Sequence, residues 1–353
     1  MTTQLERPAN AMPWARVSNS TRLIVILASV LPAAATYLFS LKSDWSGAAL
    51  LVAFFLPLQL LAAAIAAAIT RGARGIADSI LTVTVYFSII LVMTLLGSVV
   101  VSLFKNGAQA MSWHFLVWDS RYVTTSTSLD YGGVGHAVVG TLIVVLLATL
   151  MAIPFALATA IYLTETRGRL RGPVRFIVQS MSGLPSIVSG LFIYAMLILS
   201  GISNRSGFMA ALALALLMLP TVARMSEEVL KLVPSELRNA AVALGAPRRA
   251  AFFQVTFPAA RTGLVTALLL GLARIMGETA PLLMTTFRTD VTNLNPFSGD
   301  MTLLPTYINA FVLDPHDTSQ HRAWGAALVL FLLVGIIFIS TRVLTGSIKL
   351  RRK

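Results

Sequence analysis

An all-α polytopic membrane protein is the fold class this sequence predicts, and three observations predict it. Hydrophobic residues make up 56% of the 353 and charged residues only 12%. The apolar residues gather into uncharged runs of about 18 or more, the length a helix needs to cross the roughly 30 Å hydrocarbon layer. The net charge of +13 sits between those runs, which reads as a topological signal and not as a nucleic-acid surface. Backbone groups find no water inside the bilayer, so runs of this kind must close their hydrogen bonds internally as helices.

Taken in order, the runs fall at 23–41, 46–70, 79–104, 136–164, 176–200, 207–223, 262–286 and 324–341, about eight spans. The first resembles a signal peptide, with Arg22 ahead of it and Ala33, Ala34 and Ala35 inside, but it is longer than a signal core and is expected to remain as a membrane helix. In the fifth, Gly183, Pro185 and Gly190 interrupt the run. Broken spanning helices are tolerated where they line a cavity or pack on protein, and the residues leave both readings open.

Orientation follows from the basic residues. With the N-terminus inside, the segments 1–22, 71–78, 165–175, 224–261 and 342–353 hold 20 of the 27 Lys and Arg, against six outside: Lys42, Lys105, Arg121, Arg205, Arg288 and Arg322. Both termini are therefore expected in the cytoplasm. Two outer loops stand out, 105–135 with Trp113, Trp118, Tyr122 and Tyr131, and 287–323 with Pro296, Pro305 and Pro315. Their aromatic residues suit either an interface anchor or the docking of an external partner. His114, His136, His316 and His321 are scattered along this side, so a metal site is not expected, and the lack of cysteine excludes disulfides and thiolate chemistry.

The longest inner connection, 224–261, contains the punctuation of a short surface helix over about 236–244. Ser235 is placed to cap it, Glu236 lies near the positive N-terminal end, Gly245 terminates it and Pro247 prevents continuation. Leu237, Ala240, Ala241 and Leu244 form one shallow apolar stripe. Periodicity alone leaves two options, packing on the chain's own helix ends or seating in a groove on another protein.

The resemblance separates them. Asn239, Ala240, Ala241, Gly245, Val255, Phe257 and Pro258 match, with full spacing, the EAA-loop pattern of ABC importer permeases. The leading acid of that pattern is Asn239 here, and its usual Ile and Leu are Val255 and Phe257. The resemblance implies that this loop docks in a cleft of an ATP-hydrolysing subunit. The chain has no G-x-x-x-x-G-K-[ST] loop to cradle ATP phosphates, so it is expected to be a non-catalytic subunit, with ATP and Mg on the partner chain and no cofactor of its own.

The run from Gly271 to Leu283, containing Arg274, Gly277, Glu278, Thr279, Ala280 and Pro281, is similar to the segment after the EAA loop in PstA-type phosphate permeases. Gly183 to Phe192, Ile161 to Glu165, and Leu232 to Pro234 add to that likeness, which covers roughly residues 80–353. It implies a six-helix permease domain at 79–353, with residues 1–78 contributing a tail and two extra spans. It also implies phosphate as the transported ligand and a multi-pass place in the inner membrane. The partners implied are a sister PstC-type permease, a PstB-type ATPase dimer and a PstS-type binding protein, with no nucleic acid.

Arg274 and Glu278 stand apart from the family argument. Each ionised side chain in the bilayer costs roughly 2.5–3.5 kcal/mol on insertion scales, so both must face protein or water. Four residues apart, they are expected on one helix face, extended by Gly263, Ala267 and Gly271, small residues that let another helix approach closely. One reading is an ion pair that holds two helices together. The other is a control point on an anion path, since a guanidinium offers bidentate hydrogen bonds to phosphate oxygens. A permease for sulfate or molybdate, a scaffold for phosphate-sensing signalling and a self-sufficient secondary carrier are the competing functions.

Overall fold

The computed structural model describes residues 19–166 and 168–350. Most of the tail assigned to 1–22, Arg167 and the last three residues, all placed in basic inner segments by the sequence, lie outside the described residues. Every regular element among the described residues is helical. Among the described residues seven helices are long and apolar enough to span a bilayer, and a bent pair makes up to eight.

The chain divides into two compact units, Met1–Val100 and Val101–Lys353. In the first, α1 (Asn19–Ser40) packs on α2 (Leu50–Arg71), which opens with a π-type stretch at Leu50–Phe55. Gln59 donates to the Ala28 carbonyl at 3.3 Å, and Phe39 stacks on Phe54 with ring centroids 4.5 Å apart. The third helix, α3 (Ala73–Gly107), belongs to this unit up to Val100. Most apolar side chains of these helices are exposed, as expected of faces that meet lipid or other membrane helices.

The second unit is built on α5 (Gly135–Glu165) and α8 (Gly207–Lys231). Along α5, Ala148, Ala152, Ala156 and Ala160 are all buried, a four-residue repeat of methyl groups that lets the backbones approach. Leu214, Met218 and Val222 of α8 fill the same core. The helix α8 continues two turns beyond the expected end at 223, to Lys231. The charges that closed the sequence reading are paired there at four-residue spacing, Lys231 reaching Glu227 in the favourable order and Arg224 reaching Glu228 in the weaker one.

Two expected spans are interrupted. The fifth is α6 (Arg171–Ser182) and α7 (Ser186–Ile198), bent by 104° at the intervening turn. Pro185 lacks an N–H and pushes Leu184 out of helical conformation, so the helix cannot continue through it. Gly190, read as an interruption, instead lies buried inside α7. The seventh, expected to be continuous over 262–286, is α10 (Arg248–Met276), a link at Gly277–Thr279, and α11 (Ala280–Thr285).

The outer loops, in the orientation the sequence sets, are folded. α4 (Trp113–Val117) is capped by Ser112, and α12 (Leu304–Val312) lies in the second outer loop, 287–323. Phe115, Tyr307 and Phe311 pack there with Ala323 and Ala326 of α13 (Asp317–Leu350). Burial raises the pKa of the Tyr307 hydroxyl. Arg322, assigned to an outer segment by the sequence, is fully buried, and its Nη2 donates to the carbonyls of Ser128 and Tyr131, both at 2.7 Å, and of Thr127.

Candidate functional site

The break between α10 and α11 is written in the sequence as Gly277 followed by Pro281. Gly277 closes α10, its N–H bonding the Arg274 carbonyl at 3.2 Å, and the Glu278 N–H turns back to Ile275 at 3.3 Å. Pro281 stands in the first turn of α11, where a missing N–H costs nothing. Arg274 therefore lies in the last turn of α10, beside carbonyls that have no helical partner and favour a cation. Glu278 lies past the helix end, which corrects the expectation that both side chains share one helix face. They still meet: Arg274 Nε is 3.8 Å from Glu278 Oε1, an ion contact longer than a hydrogen bond.

The closer partner of Arg274 is Thr221 on α8, whose hydroxyl accepts from Nη1 at 2.9 Å. The small-residue stripe explains how α8 comes so near. A Cβ on Gly271 would fall 2.4 Å from Val222, and one on Gly263 would fall 2.5 Å from Val229, so larger residues there would hold the two helices apart. The Arg274 side chain is nevertheless 41% exposed, against 19% for Glu278. Part of its donor set is free to meet a ligand or another chain.

The two broken spans meet. A Cβ on Gly190 of α7 would lie 2.5 Å from Pro281 Cα, so α11 runs directly against the α7 backbone. At the outer end the Arg205 guanidinium lies 3.9 Å over Phe287 and donates to the Met284 carbonyl. Arg121 pairs with Asp119 and Arg288 with Asp290, so these three outer arginines, like the buried Arg322, are engaged within the chain.

The inner loop folds as α9 (Ser235–Ala243), within one residue of expectation. Ser235 does not cap it; Pro234 takes that position and Ser235 is the first helical residue. At the other end Gly245 has φ +90, the Gly245 N–H bonds Val242 at 2.9 Å and the Ala246 N–H bonds Ala241 at 3.1 Å. These two bonds and the left-handed glycine make a Schellman termination.

The apolar stripe does not pack on the chain's own helix ends: Leu237 is 48% and Leu244 90% exposed, and Ala240 is exposed, with only Ala241 half-buried. Asn239 is exposed on the same short helix. Val255, Phe257 and Pro258 lie apart from that face, half-buried at the start of α10, where Phe257 packs with Phe252, Ala160, Leu230 and Leu264 beneath the loop. Arg238 ties α9 to the end of α5 through Glu165 at 2.8 Å. Thr221 and this Arg238–Glu165 pair escaped sequence reasoning because their partners lie 53 and 73 residues apart in the chain. Among the described residues no group of His, Asp or Glu is arranged to hold a metal.

Residues 152–350 match the family described as binding-protein-dependent transport system inner membrane component. The chain is 40% identical over 223 residues to the phosphate transport system permease protein PstA 1 of Mycobacterium tuberculosis, covering 63% of this chain and 72% of that one. It is 37% identical over 222 residues to the phosphate transport system permease protein PstA of Xylella fastidiosa, covering 62% and 77%. Among solved structures, a chain of the inward-facing MetNI methionine ABC transporter aligns with a TM-score of 0.47 at 19% identity, over 61% of this chain and 94% of that chain.

Proposed function

Because the chain belongs to the family of binding-protein-dependent transport system inner membrane components, we propose that it is the permease subunit of an ATP-driven importer of inorganic phosphate. The observation that carries the substrate is the 40% identity to a phosphate permease across most of that protein's length. As a permease of this kind the chain is a multi-pass inner-membrane protein that works with an ATPase. In the finer reading its partners are a PstC-type sister permease, a PstB-type ATPase dimer holding ATP and Mg, and a PstS-type binding protein. Both termini then face the cytoplasm, and the permease domain is 79–353.

On this reading the open face of α9, with Asn239, Ala240, Ala241 and Gly245, seats on the ATPase, while Val255, Phe257 and Pro258 fasten the loop beneath it. Arg274 meets the anion. Its contact with Glu278 is long enough to exchange for a phosphate oxygen, while Thr221 keeps the guanidinium in place. A fork of N–H donors suits a tetrahedral oxyanion better than a point charge does. Glu278 then acts as the counter-charge that occupies Arg274 when no anion is present.

Proteoliposomes holding the whole complex and loaded with ATP are expected to take up radiolabelled phosphate supplied with its binding protein, and not sulfate. Uptake of sulfate in preference, or uptake of phosphate by this chain alone without nucleotide, would overturn the assignment.

A further inference from the structure

The ends of α5, α6 and α8 that the basic-residue bias assigns to the cytoplasm enclose a polar cavity of about 230 Å³. Its central group is Glu227, buried on α8, whose Oε1 accepts from Arg175 of α6 at 2.6 Å and from Lys231 at 2.7 Å. Lys231 is the last residue of α8, and only Leu232, Val233 and Pro234 separate it from α9. Arg175 stands on the arm that ends at the 104° bend.

That arm is held on one side only. Val178 packs against the core, whereas Phe176 and Ile177 on the opposite side are 69% and 55% exposed. A buried carboxylate shared by two cations resists separation, because parting any one of them leaves charge uncompensated. Glu227 thereby fastens the arm to the end of α8.

From the bend onward the contacts are continuous: α7 lies against Pro281 through Gly190, and Pro281 is three residues from Glu278. We propose that the Arg175–Glu227–Lys231 cluster is the joint through which movement of the α9 loop reaches the bent span and the Arg274–Glu278 contact. Arg175 and Glu227 are then positioning residues for transport. This rests on the importer reading. A chain of packed contacts becomes a coupling route only when breaking one link uncouples its ends.

The quantity that isolates the joint is ATP hydrolysed per phosphate imported, measured in proteoliposomes of the whole complex. Arg175→Gln is expected to raise that ratio about fivefold or more, the size of a typical coupling between sites, and Arg175→Lys to bring it back toward wild type. An unchanged ratio in Arg175→Gln overturns the proposal.

Should the glutamine variant assemble poorly, the native chain's lack of cysteine supplies a second route. In an Arg175→Cys/Glu227→Cys complex, bridging the thiols with a bifunctional methanethiosulfonate is expected to lower the raised ratio, and dithiothreitol to raise it again. A bridge that leaves the ratio where it was refutes the joint. Failure of the importer reading shows separately, as wild-type vesicles that import no phosphate, and would overturn both.

Discussion

Replacing Gly190 by alanine adds a single methyl group where two broken spans touch. The new Cβ would lie 2.5 Å from Pro281 Cα, 2.7 Å from its carbonyl oxygen and 3.0 Å from its carbonyl carbon. All three are backbone atoms, so no rotamer change relieves the overlap. Restoring ordinary contact at 3.4 Å or more requires α7 and α11 to separate by about 1 Å, and overpacking of this kind costs about 1–3 kcal/mol. The displacement falls three residues from Glu278, whose contact with Arg274 is already 3.8 Å. Phosphate uptake by the Gly190→Ala complex is expected to drop about tenfold or more, as small misplacements at a working site commonly do. Its melting temperature in detergent should also fall. Gly183→Ala, whose Cβ meets nothing nearer than 3.6 Å, and Gly97→Ala, which meets nothing within 4 Å, serve as controls with near-normal uptake. A Gly190→Ala complex with wild-type melting and uptake would refute the close packing of the two spans.

Arg274→Ala should abolish uptake with assembly intact, and Arg274→Lys should restore only part of it because a point charge replaces the fork; equal uptake by both variants and wild type would remove Arg274 from the path. Glu278→Gln should let phosphate leak from loaded vesicles in the absence of ATP, and efflux at the wild-type rate would argue against a counter-charge role. Ala240→Trp enlarges the open face of α9 without touching the chain's own core, while Gly245→Val places a β-branched residue at φ +90, a conformation that costs roughly 1–2 kcal/mol outside glycine. Both should reach the membrane normally and fail to stimulate ATP hydrolysis; full stimulation would show that another surface meets the motor. Arg322→Met keeps an unbranched apolar stem but removes the donor that holds three carbonyls, and amide exchange over 127–131 should accelerate about tenfold or more, read by hydrogen-exchange mass spectrometry.

The features legible in the sequence were those set by local chemistry. Uncharged length gave the spans, and Gly245 followed by Pro247 gave the end of α9. The stripe of Gly263, Ala267 and Gly271 foretold a closely packed neighbour, though only the structure identifies it as α8. Where charge was used as a boundary the reading stopped early, because Glu227 and Lys231 neutralise each other inside a continuing helix. The break at Gly277–Thr279 had a signal in Pro281 that hydropathy alone passes over. Ser235 lost the cap position because Pro234 already provides the non-helical turn. The partners of Arg274 and Glu227 on other elements were beyond reach, since no spacing rule links Thr221 to Arg274 or Arg175 to Glu227. The burial of Arg322 was hidden for the same reason: its acceptors are carbonyls, which have no residue type.

The alanine ladder joining α5 to α8 has a thermal consequence. In hydrocarbon a side chain gains nothing by leaving its solvent, so this pair holds together by dispersion and shape. Parting the two helices within the bilayer would wet almost no apolar surface and should carry little of the positive heat-capacity change that exposure to water produces. The folded outer loops differ, because the Phe115, Tyr307 and Phe311 cluster meets water once it opens. Heating should therefore release the outer cap in a calorimetric transition with a measurable heat-capacity step, while the α5–α8 pair persists as an anchored dimer of helices to higher temperature.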